Sequence, residues 1–144
     1  MTRVLVIDDE DPIRLLCRVN LEAEGMEVLE AADGPGGLEQ ARSQSPDVIL
    51  LDVMMPGLDG WQVAAQLLEG EDTAHVPIIF LTARAEFRDR AHGLDIGGVD
   101  YVTKPFNPLE LAPLVRDVLA RLERGEREEL RSENLGKLRA LMED

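Results

Sequence analysis

The chain has 144 residues, a length that suits one ordinary domain with a short extension. Lys and Arg number 15 against 29 Asp and Glu, which gives a formal net charge of −14, so we expect no direct binding of nucleic acid or of anionic membranes. No apolar run approaches the roughly 20 residues of a membrane span, and the N-terminus lacks a signal peptide, so we expect a cytoplasmic protein.

Apolar patterning predicts alternating strands and helices along the first 122 residues. A β-branched apolar run at residues 3–8 predicts a strand, and residues 12–24 predict an amphipathic helix with Asp11 as its N-cap and Gly25 at its C-terminal end. Four more strands are predicted at 26–31, 47–52, 76–82 and 99–104. Four more helices are predicted at 34–44, 60–70, 86–96 and 108–123.

The third predicted strand, "DVILLD", is apolar almost throughout. Such a strand is typical of a parallel sheet that helices cover on both faces. Five strand–helix units with short links therefore predict an open, doubly wound α/β sheet.

Residues 123–144 are rich in charge and too few for a second domain, so we interpret them as a helical tail, separate from a domain at residues 1–122. The tail either continues the fifth helix or breaks at Gly125. A narrow leucine stripe, including Leu130 and Leu135, leaves three interpretations open: a dimerising or partner-binding helix, a linker to an effector, or a solvated helix. Because no effector domain follows in this sequence, we expect output through contacts with other proteins.

Polar side chains stand at the carboxyl ends of the predicted strands. Asp8 and Asp9 end the first strand, Asp52 ends the third, Thr82 ends the fourth and Lys104 ends the fifth. Each alone has a plain structural explanation, such as a helix cap, a turn or a surface cation. Because ligands bind outside the carboxyl ends of strands in an open parallel sheet, we expect the five side chains to converge there.

Three clustered carboxylates repel one another, since two unit charges 4 Å apart interact by about 4 kcal/mol at an effective dielectric constant of 20. One lysine does not balance them, which indicates a further cation. The single cysteine, Cys17, and two histidines cannot form a Cys/His metal cluster, so the metal should be oxygen-bound, and Mg²⁺ fits best. A carboxylate with Mg²⁺ and a lysine is typical of phosphoryl transfer.

Four motifs resemble the receiver domain of two-component response regulators: "VIDDE", "LLDVMMPGLDG", "LTA" and "DYVTKPF". The resemblance covers about residues 1–122 and extends to stand-alone regulators of the chemotaxis type. It implies a flavodoxin-like (βα)5 sandwich, with strand order 2-1-3-4-5, helices on both faces and, here, a C-terminal helical tail.

The resemblance also implies roles for the acidic residues. Asp52 would accept a phosphoryl group from a phosphohistidine of a sensor histidine kinase or of a histidine phosphotransfer protein. Asp8 and Asp9 would hold Mg²⁺ together with Asp52 and the backbone carbonyl of Met54. We interpret Glu10 as the solvated start of a loop. The receiver itself would catalyse its phosphorylation and autodephosphorylation, without being an enzyme in the usual sense.

The remaining implied residues bind the phosphoryl group or respond to it. Lys104, the Thr82 hydroxyl and the backbone N–H groups of Met54 and Ala83 would surround the phosphoryl oxygens, and the bond from Lys104 to Pro105 would be cis. Thr82 and Tyr101 would act as switch residues, although a half-buried ring is an equally good explanation of Tyr101.

The resemblance also implies an output face, formed by the fourth predicted helix, the fifth strand and the fifth predicted helix. A downstream protein or a second copy of the chain would bind there. The alternative is a phosphorylation-independent scaffold of the same fold. A haloacid-dehalogenase-type phosphatase fits less well, because Met54 stands where such enzymes carry a second acid.

Overall fold

The computed structural model describes residues 1–83 and 97–142. Five parallel strands form a single sheet in the order β2-β1-β3-β4-β5, which confirms the predicted doubly wound topology. The strands are β1 (Arg3–Ile7), β2 (Glu27–Ala31), β3 (Val48–Asp52), β4 (Ile78–Ala83) and β5 (Asp100–Lys104).

Helices follow the strands as the apolar spacing predicts. The described residues include α1 (Asp11–Ala23), α2 (Gly34–Gln44), α3 (Gly60–Glu69), α4 (Leu111–Glu123) and α5 (Arg127–Met142). A short 3-10 helix, Pro108–Glu110, precedes α4. The helix predicted at 86–96 lies outside the described residues. None of the helices in the described ranges combines the length and apolar content needed to cross a lipid bilayer.

The ends of α1 depart from the prediction in one detail. Asp11 is the first helical residue, and Glu10 takes the N-cap position without a side-chain cap bond, so the prediction of Asp11 as N-cap is wrong. The Asp11 carboxylate instead pairs with Arg14 one turn along the helix. Gly25 lies at the C-terminal end as predicted, with a φ of 83° that favours glycine.

Two apolar clusters lie on opposite faces of the sheet because successive strand residues point to opposite sides. In β1, Val4 and Val6 join Cys17 of α1 and residues of α4, whereas Leu5 and Ile7 join residues of α2 and α3. Helices therefore cover both faces, and the strand ends carry the polar groups.

The tail turns back onto the rest of the chain. The chain breaks its helix at Gly125, where φ is 74°, so α5 does not continue α4. Leu130 and Leu135 are 3% and 7% exposed, and Leu130 belongs to the α1–α4 cluster. Asn134 is also buried, and its side-chain amide donates to the carbonyl of Val99 at 2.9 Å. Leu130 and Leu135, two members of the predicted stripe, are therefore buried against the same chain.

Candidate functional site

Sheet register brings the predicted site residues to one edge. Asp8 directly follows β1, Asp52 ends β3 and Lys104 ends β5. Across neighbouring strands, Asp52 aligns with Leu81, beside Thr82, and Ala83 aligns with Lys104. Because the strands are parallel, their carboxyl ends meet at one side of the sheet, which is where ligands bind in folds of this class.

The three predicted metal-binding carboxylates lie together. Asp8, Asp9 and Asp52 each offer a carboxylate oxygen, and these oxygens lie within 4.8 Å of one another. Asp8 is fully buried and Asp52 is 3% exposed, whereas Asp9 is open to solvent. Two of the three carboxylates, those of Asp8 and Asp52, are therefore buried, and the carboxylate of Asp9 is accessible to solvent.

Lys104 supplies a positive charge beside two members of this cluster. Its ammonium lies 2.9 Å from Asp8 Oδ2, 3.3 Å from Asp52 Oδ1 and 3.4 Å from Glu10 Oε2. The contact with Glu10 was missed by the sequence interpretation, which took Glu10 as a solvated residue. The two residues are 94 positions apart, so no local pattern could have indicated their contact.

Asp8 is held by two hydrogen bonds to its backbone and by one from a nearby backbone N–H to its carboxylate. Its N–H donates to the carbonyl of Ala31, and its own carbonyl accepts from Arg14 Nη1 at 2.6 Å. Its carboxylate accepts from the N–H of Glu10 at 2.9 Å. Arg14, which lies one turn into α1, is thus a supporting residue that the sequence interpretation did not identify.

Asp52 is positioned by the turn that follows it and by the start of α3. The N–H of Met54 donates to Asp52 Oδ1 at 3.2 Å. A Cβ on Gly60 would fall 2.3 Å from the carbonyl oxygen of Asp52, so α3 can begin this close to β3 only because residue 60 is glycine. The N–H of Gly60 also donates to the carbonyl of Val53 at 3.0 Å.

The charges at the site are not balanced. Burial and the neighbouring charge of Asp8 raise the pKa of Asp52 to about 7, although Lys104 and the N–H of Met54 act in the opposite direction. Burial also disfavours the charged lysine, but the hydrogen bond to Asp8 and the charge of Asp52 outweigh it, and the pKa of Lys104 is raised. The lysine therefore stays protonated, and the cluster retains an excess of negative charge.

The other predicted site residues lie on β4 and β5. Thr82 is 1% exposed, and Ala83 is the last residue of β4. The peptide bond between Lys104 and Pro105 is cis. Tyr101 is half-buried and packs against the α2–α3 cluster, which fits both interpretations of its ring.

A five-stranded parallel sheet with carboxylates and a lysine at its carboxyl edge is the arrangement that the receiver motifs predict. The family described as response regulator receiver domain matches residues 4–116. The chain belongs to this family, and it is therefore a receiver of two-component signalling.

Curated relatives agree with this assignment. The alkaline phosphatase synthesis transcriptional regulatory protein PhoP of Bacillus subtilis is 44% identical over 121 residues, which are 84% of this chain and 50% of PhoP. The DNA-binding dual master transcriptional regulator RpaA of Synechocystis is 42% identical over 124 residues, which are 86% of this chain and 52% of RpaA. The chain spans about half the length of these relatives.

Among solved structures, the chemotaxis protein CheY4 of Vibrio cholerae is similar, with a TM-score of 0.77 and 32% sequence identity. The similarity covers 82% of this chain and 98% of the CheY4 chain. The match includes almost the whole CheY4 chain, so the described fold corresponds to nearly all of that protein.

Proposed function

We propose that Asp52 accepts the phosphoryl group. The observation that carries this proposal is the contact of its buried carboxylate with Lys104 at 3.3 Å, inside a cluster of three carboxylates. In the reaction, a carboxylate oxygen of Asp52 forms a bond to phosphorus while the bond from phosphorus to the donor breaks. Water later attacks the acyl phosphate, which restores the carboxylate and releases inorganic phosphate. The receiver supplies the catalytic groups for both steps.

The three clustered carboxylates suit Mg²⁺. Asp8, Asp9 and Asp52 offer hard oxygen ligands within 4.8 Å of one another, and the carbonyl of Met54 follows Asp52 by two residues. Burial and, after it, the charge of Asp8 raise the pKa of Asp52, and a cation beside these two carboxylates would favour the charged form of Asp52. When bound, Mg²⁺ neutralises charge on the transferring group.

The chain's own groups orient the phosphoryl oxygens. The ammonium of Lys104 pairs with one oxygen, while the Thr82 hydroxyl and the N–H groups of Met54 and Ala83 donate to others. Support comes from the sheet register, in which Ala83 aligns with Lys104 and Thr82 precedes Ala83. These donors stabilise negative charge where it develops during transfer.

Thr82 and Tyr101 then transmit the change to the output face. In this proposal Thr82 moves toward the phosphoryl group and Tyr101 turns inward, which alters the surface formed by β5 and α4. The segment at 86–96, which the expected output face also includes, lies outside the described residues. The two conformations need differ by only a few kcal/mol for a new charge to shift their populations. The partners are a sensor histidine kinase or histidine phosphotransfer protein upstream, and a downstream protein or second copy of the chain on the output face.

The proposed receiver comprises residues 1–122, and residues 123–144 form an appended helical tail. Support comes from the family match, which ends at residue 116, and from the helix break at Gly125. Direct DNA contact by these residues is not part of the proposal, because the net charge of −14 opposes it. A cytoplasmic location belongs to the same proposal.

Intact mass after incubation with acetyl phosphate tests the function. We expect a Mg²⁺-dependent phosphoryl adduct on the unaltered chain and no adduct on Asp52→Asn. The matched control is Asp72→Asn, which alters a solvent-exposed carboxylate in the loop after α3 and should keep the adduct. Absence of any adduct, even with a fast quench and competent histidine kinases, would favour the scaffold interpretation.

A further inference from the structure

Glu10 occupies a capping position without using its side chain as a cap. Its carbonyl accepts from the N–H groups of Ile13 and Arg14, and its own N–H donates to Asp8. No side-chain cap bond is formed at this end of α1. The backbone of Glu10 thus starts the helix, and its carboxylate instead lies 3.4 Å from the ammonium of Lys104.

The three carboxylates around Lys104 differ in what else they do. Asp8 and Asp52 belong to the cluster that the proposed function assigns to Mg²⁺ and phosphoryl transfer. Glu10 has no role in that proposal, although it contacts the same ammonium. Its side chain is 58% exposed, against 0% for Asp8 and 5% for Asp52. Glu10 therefore holds Lys104 from the solvent side, where an incoming phosphodonor arrives.

We propose that Glu10 is a positioning residue that holds Lys104 at the entrance of the site until a phosphoryl group takes over the ammonium. This inference rests on the proposed function. A phosphoryl group on Asp52 needs the same ammonium that Glu10 contacts, so the two anions compete for Lys104. Removing the contact releases Lys104 and strengthens binding of a phosphoryl group at Asp52.

The test measures the affinity of beryllofluoride, a phosphoryl stand-in, at a fixed saturating Mg²⁺ concentration. Trp61 is the single tryptophan and lines a surface cavity with Met54, so its fluorescence is a convenient readout. Fluorine NMR of the bound beryllofluoride gives an independent one. The proteins are the full chain and its Glu10→Gln, Glu10→Asp and Asp72→Asn variants.

Glu10→Gln should lower the dissociation constant of beryllofluoride about two- to fivefold, the range expected when one exposed ion pair is removed. Glu10→Asp keeps the charge but shortens the side chain by one methylene, and should tighten binding as well because the contact is lost. Asp72→Asn removes one exposed carboxylate in the loop after α3, and should leave the affinity unchanged.

Each contrary outcome has a distinct meaning. If Glu10→Asp binds beryllofluoride like the unaltered chain while Glu10→Gln binds it more tightly, the charge of residue 10 alone explains the change in affinity. This outcome overturns the proposed contact. Equal affinities for all four proteins, or weaker binding by Glu10→Gln, overturn the inference and leave the proposed function intact. If the unaltered chain binds no beryllofluoride, the proposed function fails and the inference fails with it.

Discussion

At the residue scale, the carboxylate of Asp52 occupies a position that disfavours its charge. It is 3% exposed at the end of a fully buried strand, and the charge of Asp8 acts on it at short range. Burial and a like charge both favour the protonated form of a carboxyl group. Functional sites often contain groups whose position lowers the stability of the fold, because the same groups bind a ligand.

The raised pKa of Asp52 makes the stability of the chain depend on pH. The pKa of Asp52 is about 7 in the folded chain and about 4 when unfolded, so between these values the folded chain binds more protons. The contribution of Asp52 to the free energy of unfolding of the metal-free chain should therefore fall as the pH rises from about 4 to 7. Asp52→Asn should remove this contribution and stabilise the chain above pH 7 by about 1–3 kcal/mol.

Urea denaturation in a chelating buffer at several pH values measures this difference. Asp72→Asn is the control for loss of one exposed carboxylate. If Asp52→Asn and the unaltered chain show the same slope between pH 4 and 7, Asp52 does not carry the raised pKa.

At the scale of elements, helix α5 packs against the receiver through a small number of buried contacts. Leu130 lies in the α1–α4 cluster, Leu135 is buried, and the side-chain amide of Asn134 donates to the carbonyl of Val99, directly before β5. Arg121 of α4 makes a two-point ion pair with Glu133 of α5 at 2.7 and 3.0 Å. The ion pair is exposed and contributes little, so burial of the leucines should dominate docking.

Truncating Leu130 tests this docking. Leu130→Ala should lower the free energy of unfolding by about 2–4 kcal/mol, because it leaves a cavity beside the α1–α4 cluster. Leu109→Ala is the matched control, since Leu109 is 76% exposed and its truncation should change stability by less than about 0.5 kcal/mol. Equal, small effects in urea denaturation would mean that α5 does not pack on the receiver in solution.

At the scale of the whole molecule, the proposed switch joins the acidic site to the surface of β5 and α4. Lys104 lies at the end of β5, and Tyr101 and Val102 of the same strand line a surface groove with Leu114 of α4. One strand thus carries both the lysine of the site and part of the proposed output face. A change at one end of β5 therefore has a short physical route to that face.

Beryllofluoride with Mg²⁺ should change amide hydrogen exchange in β5 and α4 and strengthen association of the chain. Exchange mapped by mass spectrometry, combined with sedimentation, measures both effects. Helix α2 serves as an internal reference that should not change. Asp52→Asn is the matched control and should show no response. An unaltered exchange pattern in β5 and α4 would contradict the proposed output face.

The sequence alone determined the order of the elements and the edge at which the site lies. The near-continuous apolar runs of β1 and β3 predict strands buried on both faces, and parallel strands bring Asp8, Asp52 and Lys104 to one side. These features depend on local periodicity and on general sheet geometry, which a sequence records directly. The receiver motifs then indicated the roles that Asp52 and Lys104 are proposed to take.

Only the tertiary structure decided which distant groups touch. The ion pair of Glu10 with Lys104, the bond from Asn134 to Val99 and the close approach of Gly60 to Asp52 all join different elements. The same holds for the tail, whose leucines admitted several interpretations until Leu130 was found in the core. Such contacts depend on how helices pack against the sheet, and residue spacing along the chain carries no record of that packing.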